Sequence, residues 1–217
     1  NCVYCQNADI SQNLSGRPVT PEILSTYMLE LQALGCHNIN LVSPSHVVGQ
    51  IAQAVALAAE GGLSLPIVYN TGGYDALETL QLLDGLVDIY MPDMKYSQPE
   101  IGESYSGVPD YPEVNQKAVL EMHRQVGDLV LDSSGVAWRG LLIRHLVLPD
   151  DLAGSSATLG FIAENISMDT YLNIMDQYRP AYQARRYPGL DRPLLRSEFQ
   201  SVIDEAEAWG FSRLDHY

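Results

Sequence analysis

Val87-Asp88-Ile89-Tyr90-Met91-Pro92-Asp93-Met94-Lys95 is a short apolar run that ends at a proline and then delivers an acid and a base. Residues 87–91 read as a strand, because β-branched and aromatic side chains dominate and Pro92 cannot donate to a ladder. The run does not alternate cleanly, which fits a strand buried on both faces of a parallel sheet. Working toward the N-terminus, residues 75–84 read as a helix and 66–70 as another apolar strand. Beyond them lie a helix over 47–60 that ends at Gly61-Gly62, a strand over 38–42 and a helix over 20–34. Thr20 is placed to cap that last helix, Pro21 suits its first position, Glu22 its first turn, and Gly35 stops it. Toward the C-terminus come a helix over 112–126 and a hairpin over 128–143 that turns at Ser133-Ser134-Gly135. A very apolar run over 141–148, interrupted by Arg144 and His145, precedes a helix at 152–165, a strand at 170–175 and a helix at 197–209. Strands that alternate with helices imply right-handed crossovers and an α/β fold built on a parallel sheet.

A length of 217 residues sets the scale at one domain, or at most a domain and a half. With 46% hydrophobic and 18% charged residues the chain builds a core, which excludes wholesale disorder. No uninterrupted apolar stretch approaches the roughly 18 residues that a membrane span needs. The 12 Lys and Arg face 27 Asp and Glu, a net charge of −15. Such a surface repels phosphate backbones, so neither nucleic acid nor an anionic membrane is expected as a partner. The chain opens on Asn1 and Cys2 with no initiator Met, basic region or apolar region. That reads as a missing start and not as a signal peptide, and a cytoplasmic location is expected. Three cysteines make no disulfide framework.

In parallel sheets chemistry collects at the C-terminal strand ends. The strand ends here carry Ser43-Pro44-Ser45-His46, Asn70-Thr71-Gly72-Gly73-Tyr74, Met91 to Lys95, Arg144 with His145, and Asn173 with Met175, Asp176 and Gln177. Asp93, Lys95 and Arg144 interrupt apolar runs, so burial would require that they pair or meet a charged ligand. Cys2-Val3-Tyr4-Cys5 is a CxxC, compatible with half a zinc site or a redox pair. Zinc needs two further ligands and no second CxxC exists. A redox pair usually opens a helix, whereas a loop is expected over 6–18. Cys36 reads as a core thiol, Gly72-Gly73 as turn geometry, His145 as a core histidine or a ligand, and Arg185-Arg186-Tyr187 as a solvated loop.

Cys2-Val3-Tyr4-Cys5-Gln6-Asn7 resembles the last two thirds of the CxxxCx(aromatic)C loop of radical S-adenosylmethionine enzymes. The first cysteine of that loop would lie four residues ahead of Cys2. Residues 70–74, 88–95 and 143–149 are similar to strand ends of pyruvate formate-lyase activating enzymes. The nearest likeness is to an uncharacterised branch that shares Asp-Ile-Tyr-x-Pro-Asp-x-Lys-Tyr and Arg-His-Leu-Val-Leu-Pro. The resemblance runs from Cys2 to about residue 206 and implies a single radical S-adenosylmethionine domain, truncated at its N-terminus, on a partial (β/α)6 barrel. It also implies a [4Fe–4S] cluster with Cys2 and Cys5 as ligands and one iron open to S-adenosylmethionine. Reductive cleavage would give methionine and a 5′-deoxyadenosyl radical that takes hydrogen from a substrate. By the same resemblance Tyr4 packs near the adenine, and Lys95 and Arg144, beside Asp93, face the carboxylate and ribose. Asn70, Thr71, Met91 and Asp93 would line a monovalent cation site. Where the family has Gly-Gly-Glu for the cofactor's amino group, this chain has Ser43-Pro44-Ser45-His46, which makes Ser45 or His46 the expected replacement. Partners implied are an electron donor such as flavodoxin or ferredoxin, and a glycyl-radical enzyme or other protein substrate. The alternative from a different class is a regulatory protein in which Cys2, Cys5 and a His hold zinc; a barrel enzyme without a cluster is a third.

Overall fold

The computed structural model describes residues 2–11 and 15–215. Residues 12–14 of the loop expected over 6–18 fall outside the described set. The chain divides into two compact units, Arg17–Pro92 with Lys117–Leu142, and Asn1–Gly16 with Asp93–Gln116 and Ile143–Tyr217. The first is called here the β1–β3 unit and the second the cysteine unit.

The β1–β3 unit is a run of parallel crossovers. Helix α2 (Pro21–Ala33) leads to β1 (Ile39–Val42), α3 (Val48–Glu60), β2 (Ile67–Thr71), α4 (Leu77–Leu82) and β3 (Ile89–Pro92). β1 pairs with β2 and β2 with β3, all parallel, with Val42 opposite Asn70 and Thr71 opposite Pro92. Every residue of β2 is buried, the polar Asn70 and Thr71 at its end included. The Thr20 hydroxyl accepts from the Ile23 amide at the start of α2. Gly35, at φ 81, closes the helix by letting the Cys36 amide reach back to the Leu31 carbonyl. Met28, Ile39, Ile51, Ala54, Val55, Ala58 and Ile67 pack as one core beneath these elements. Strand β4 (Val130–Leu131) and the first part of β5 (Ala137–Leu146) form the expected hairpin, antiparallel, with the Asp132 carboxylate tying its turn to the amides of Ser134 and Val136. β5 then runs parallel to β3, Ile89 opposite Gly140 and Tyr90 opposite Leu141.

In the cysteine unit a short helix, α1 (Ala8–Ser11), occupies part of the expected loop. Helix α5 (Pro99–Ser106) was not foreseen, although Pro99 opens it and Gly107 in the left-handed region ends it. Its central Gly102 hides it from propensity reasoning. That glycine is required by the fold, since a Cβ there would stand 2.5 Å from the Val108 carbonyl oxygen. α6 (Tyr111–Val126) and β5 each pass from one unit to the other. The later part of the chain supplies α7 (Ser155–Asn165), β6 (Tyr171–Met175), α8 (Arg196–Trp209) and β7 (Leu214–Asp215). β7, too short to read from sequence, pairs parallel with β6. The core of this unit is unusual in being built on five tyrosines, Tyr4, Tyr96, Tyr105, Tyr111 and Tyr178. Buried phenols need partners. Tyr4 and Tyr96 share a 2.6 Å bond, Tyr111 donates to the Asp93 carbonyl and Tyr178 to that of Leu190. Among the described residues no helix is long and apolar enough to cross a membrane.

Candidate functional site

In the cysteine unit Cys2 and Cys5 lie at the two ends of one tight turn, closed by the Cys5 amide on the Cys2 carbonyl. A turn of this kind holds its end Cα atoms within about 7 Å. Both thiols are free and half-buried. The Cys2 sulfur contacts the Ser106 hydroxyl at 3.1 Å, and the Cys5 sulfur that of Ser11 at 3.3 Å. The turn is anchored by the Val3 amide on the Tyr105 carbonyl and by the Gln183 amide on the Val3 carbonyl. Between the cysteines, Tyr4 is buried edge-on against Tyr96 and Tyr178. Burial first, then the charges of Tyr96 and Cys2, push its phenol up, so it stays neutral.

In the same unit Asp93 binds both Lys95 and Arg144, the latter through Nη2 at 2.6 Å and Nε at 2.9 Å. The backbone prepares this pairing: Asp93 and Arg144 face each other in a parallel bridge, and the Met94 amide donates to the Arg144 carbonyl. Tyr111 and Asn115 hold the Asp93 carbonyl from α6. Burial alone would raise the Asp93 carboxyl, but the two cations more than reverse it and the group lies below its ordinary value. Burial works to lower Lys95, yet Asp93 and then Cys2 leave it above its ordinary value. All three groups are therefore charged at neutral pH, one anion against two cations. The triad carries a net charge of +1, only partly exposed to water.

His145 is buried and fully used. Its Nδ1 donates to the Met94 carbonyl at 2.7 Å, which leaves Nε2 to accept from the Ser155 hydroxyl at 2.8 Å. Burial is the main influence and holds its pKa below the usual value. It is a neutral core histidine that fixes the strand end next to Arg144.

In the β1–β3 unit the end of β1 turns sharply, with Ser43 in the left-handed region and Pro44–His46 in a single 3-10 turn. Ser45 donates to Asp75 Oδ1 at 2.5 Å. Asp75, 2% exposed, also accepts from Tyr69 at 2.9 Å and from Thr71 at 2.6 Å. Asp75 was missed in the sequence because it reads there as the first residue of a helix. In the structure α4 starts two residues later, and Asp75 is a hub of three hydroxyls. The Thr71 hydroxyl donates to Asp75 and accepts from the Gly73 amide. His46 is exposed at the end of the turn. Asn70 and Thr71 are buried at the end of β2, with Met91 opposite Asn70.

The two thiols of the turn fit a group that binds soft thiolate ligands. Two thiols are one fewer than the three cysteines that a site-open [4Fe–4S] cluster takes. Among the described residues no three His, Cys, Asp or Glu side chains gather as a metal site. In their own units the Thr71 hydroxyl is committed to Asp75 and the Asp93 carboxylate to Lys95 and Arg144, so the monovalent cation remains an expectation from the resemblance.

The chain is similar over its whole length to a radical SAM methyltransferase from Sphaerobacter thermophilus, with a TM-score of 0.66 at 14% identity, and spans 62% of that protein. A domain of the pyruvate-formate lyase-activating enzyme from Bacteroides vulgatus matches 83% of the chain and 98% of its own length, with a TM-score of 0.59 at 11% identity. The FeFe-hydrogenase maturase HydG from Carboxydothermus hydrogenoformans gives 0.62 at 14% identity, over the whole chain and 49% of its own. The chain has the radical S-adenosylmethionine enzyme fold. The strands pair in parallel, as the alternation of strand and helix predicted, and the fold they share with these proteins agrees with the partial barrel that the resemblance implied. In sequence, an uncharacterized protein of Methanocaldococcus jannaschii is 29% identical over 96% of this chain. The chain spans 59% of that relative's length. No family profile matches the chain.

Proposed function

We propose that this chain is the core of a radical S-adenosylmethionine enzyme of the activating-enzyme kind. Cys2 and Cys5, with a third thiolate four residues ahead of Cys2, would hold a [4Fe–4S] cluster. The observation that carries this reading is the cysteine turn with the net-positive Asp93–Lys95–Arg144 triad in the same unit. When bound, the cluster would supply one electron for reductive cleavage of S-adenosylmethionine to methionine and a 5′-deoxyadenosyl radical.

The side chains would bind and orient. One carboxylate cannot neutralise two cations, so Lys95 and Arg144 retain attraction for the cofactor's carboxylate. Tyr4 offers an apolar, neutral ring beside the thiols. In the β1–β3 unit Ser45 gives its proton to Asp75, whereas no hydrogen bond is described for the His46 side chain. The radical's target is proposed to be a protein, such as a glycyl-radical enzyme, by analogy with the activating-enzyme domain that the chain resembles.

Iron and sulfide analysis of the complete protein, reconstituted without oxygen, tests the reading. Four irons and four sulfides per chain with an air-sensitive brown absorbance are expected. A colourless protein with stoichiometric zinc would instead make the cysteine turn a structural or regulatory metal site.

A further inference from the structure

The tyrosine core of the cysteine unit runs from Cys2 toward the surface. The Tyr96 hydroxyl stands 3.9 Å from the Cys2 sulfur, and the Ser106 hydroxyl touches both, at 3.0 Å from the phenol and 3.1 Å from the thiol. The ring centroid of Tyr96 lies 6.4 Å from that of Tyr105, and Tyr105 lies 5.8 Å from Tyr187. Tyr96 and Tyr105 are buried, whereas Tyr187 is half-buried and directly follows the exposed Arg185 and Arg186. The chain contains 13 Tyr and 3 Phe, yet among the described residues no Phe belongs to this core. Phe fills almost the same space without the cost of burying a hydroxyl. What the phenol adds is chemistry: it gives up one electron and one proton to become a phenoxyl radical, which a phenyl ring cannot do. Burial holds the Tyr96 and Tyr105 phenols above their ordinary pKa, so both are neutral and an electron leaves them only with a proton. A second branch, Tyr4 and Tyr178, leads inward. Both rings are buried, and the Tyr178 hydroxyl is spent on the Leu190 carbonyl.

We propose that Tyr96, Tyr105 and Tyr187 form a radical-exit chain, which carries a one-electron oxidising equivalent from the Cys2 sulfur to the surface, where a small reductant of the ascorbate class removes it. The oxidant is a radical that takes the hydrogen atom of the Cys2 thiol, such as hydroxyl radical formed from peroxide, and it leaves a thiyl radical. Tyr96 returns a hydrogen atom to the sulfur: its O–H bond breaks, the S–H bond forms and Tyr96 becomes a phenoxyl. An electron then passes from Tyr187 through Tyr105 to Tyr96. A proton reaches Tyr96 from water by way of the half-buried Ser106, and Tyr187 releases its own proton to water. The reductant restores Tyr187 by giving it one hydrogen atom and leaves as its own radical. A thiyl left in place meets oxygen and is carried toward the oxyacids of cysteine, of which the sulfinic and sulfonic are lost to the protein. The chain acts on the free thiol, so the inference does not rest on the cluster reading above.

The experiment uses the complete, cluster-free protein with Cys2 as its only cysteine, the others replaced by serine. Cys2 is S-nitrosylated, and light then breaks the S–N bond to give nitric oxide and the thiyl radical. Electron paramagnetic resonance is expected to show a tyrosyl signal that ascorbate quenches. Tyr96→Phe should abolish that signal. Tyr105→Phe and Tyr187→Phe should keep it but make it insensitive to ascorbate, because the radical stays inside. Tyr178→Phe should change neither property. Phe preserves the packing of each ring, and thermal unfolding identifies variants that remain folded. A wild type without a tyrosyl signal, or a full signal in Tyr96→Phe, overturns the chain. So does quenching as fast in Tyr105→Phe and Tyr187→Phe as in wild type, and so does a loss of quenching in Tyr178→Phe, which would move the route to the inner branch. A protein that behaves as expected here yet takes up no iron on reconstitution loses the cluster reading and keeps the chain.

Discussion

At the residue scale the decisive group is Asp93, because it holds two half-buried cations, Lys95 and Arg144, against one carboxylate. Removing one of them should be felt by the ligand more than by the fold. Lys95→Ala is expected to weaken S-adenosylmethionine binding by about 1.5–3 kcal/mol, the range for a hydrogen bond to a charged group. Calorimetry on the reconstituted protein checks this, with iron content unchanged; an affinity equal to wild type would make Lys95 purely structural. His145 carries the opposite kind of prediction. Its pKa is depressed, so the folded state binds its proton less readily than the unfolded chain does. Its contribution to stability is complete above about pH 6.5, the unfolded value, and fades as pH falls toward the lower native value. Urea midpoints at pH 7.5 and 5.5 should differ less in His145→Gln than in wild type. Identical pH slopes would show that the buried imidazole does not titrate in this window.

At the scale of elements, two strand ends deserve mutation. Gly140 sits in β5 at φ 117, and a Cβ there would come within 2.4 Å of the Asp128 carbonyl oxygen. Its amide also donates to the Asp88 carbonyl, so the strand cannot move away without breaking that bond. Gly140→Ala is expected to lower stability by about 1–3 kcal/mol from backbone strain alone, with more from the clash. Thermal unfolding reads this directly, and a variant as stable as wild type would mean that the hairpin relaxes freely. The end of β1 tests the Asp75 hub. Ser45→Ala should lower stability by about 1.5 kcal/mol, because buried Asp75 loses a hydroxyl donor, while His46→Gln, at an exposed position, leaves stability unchanged. Thermal unfolding checks both, and equal stability in the two variants would show that Asp75 does not depend on Ser45. The sequence placed both residues at this turn, but it could not show that Asp75, thirty positions later, receives the Ser45 proton. Helix periodicity had absorbed Asp75 into α4, and a tertiary contact removed it.

At the scale of the molecule, charge dominates behaviour. With a net charge of −15 and an isoelectric point near 4.5, the protein should associate most readily near pH 4.5, where repulsion between copies vanishes. Light scattering across pH 4–7 checks this, and a minimum of association at that pH would refute it. The reach of the sequence has a physical limit. Runs of apolar residues, capping residues and glycine stops are local signals, because burial periodicity and φ preferences act within a few positions. They were enough for the order of strands and helices, the parallel sheet, the hairpin and the polar strand ends, and the cysteine spacing marked its own turn. Short or glycine-interrupted elements such as β7 and α5 escaped, since their stability comes from neighbours and not from propensity. Which polar groups meet is a different question. Asp93 and Arg144 lie 51 positions apart, Cys2 and Ser106 lie 104, and Gln6 and Gln177 lie 171. Only chain folding brings such pairs within hydrogen-bond range, so the sequence by itself determined the architecture and the candidate residues, and the tertiary structure decided their partners, charges and protonation.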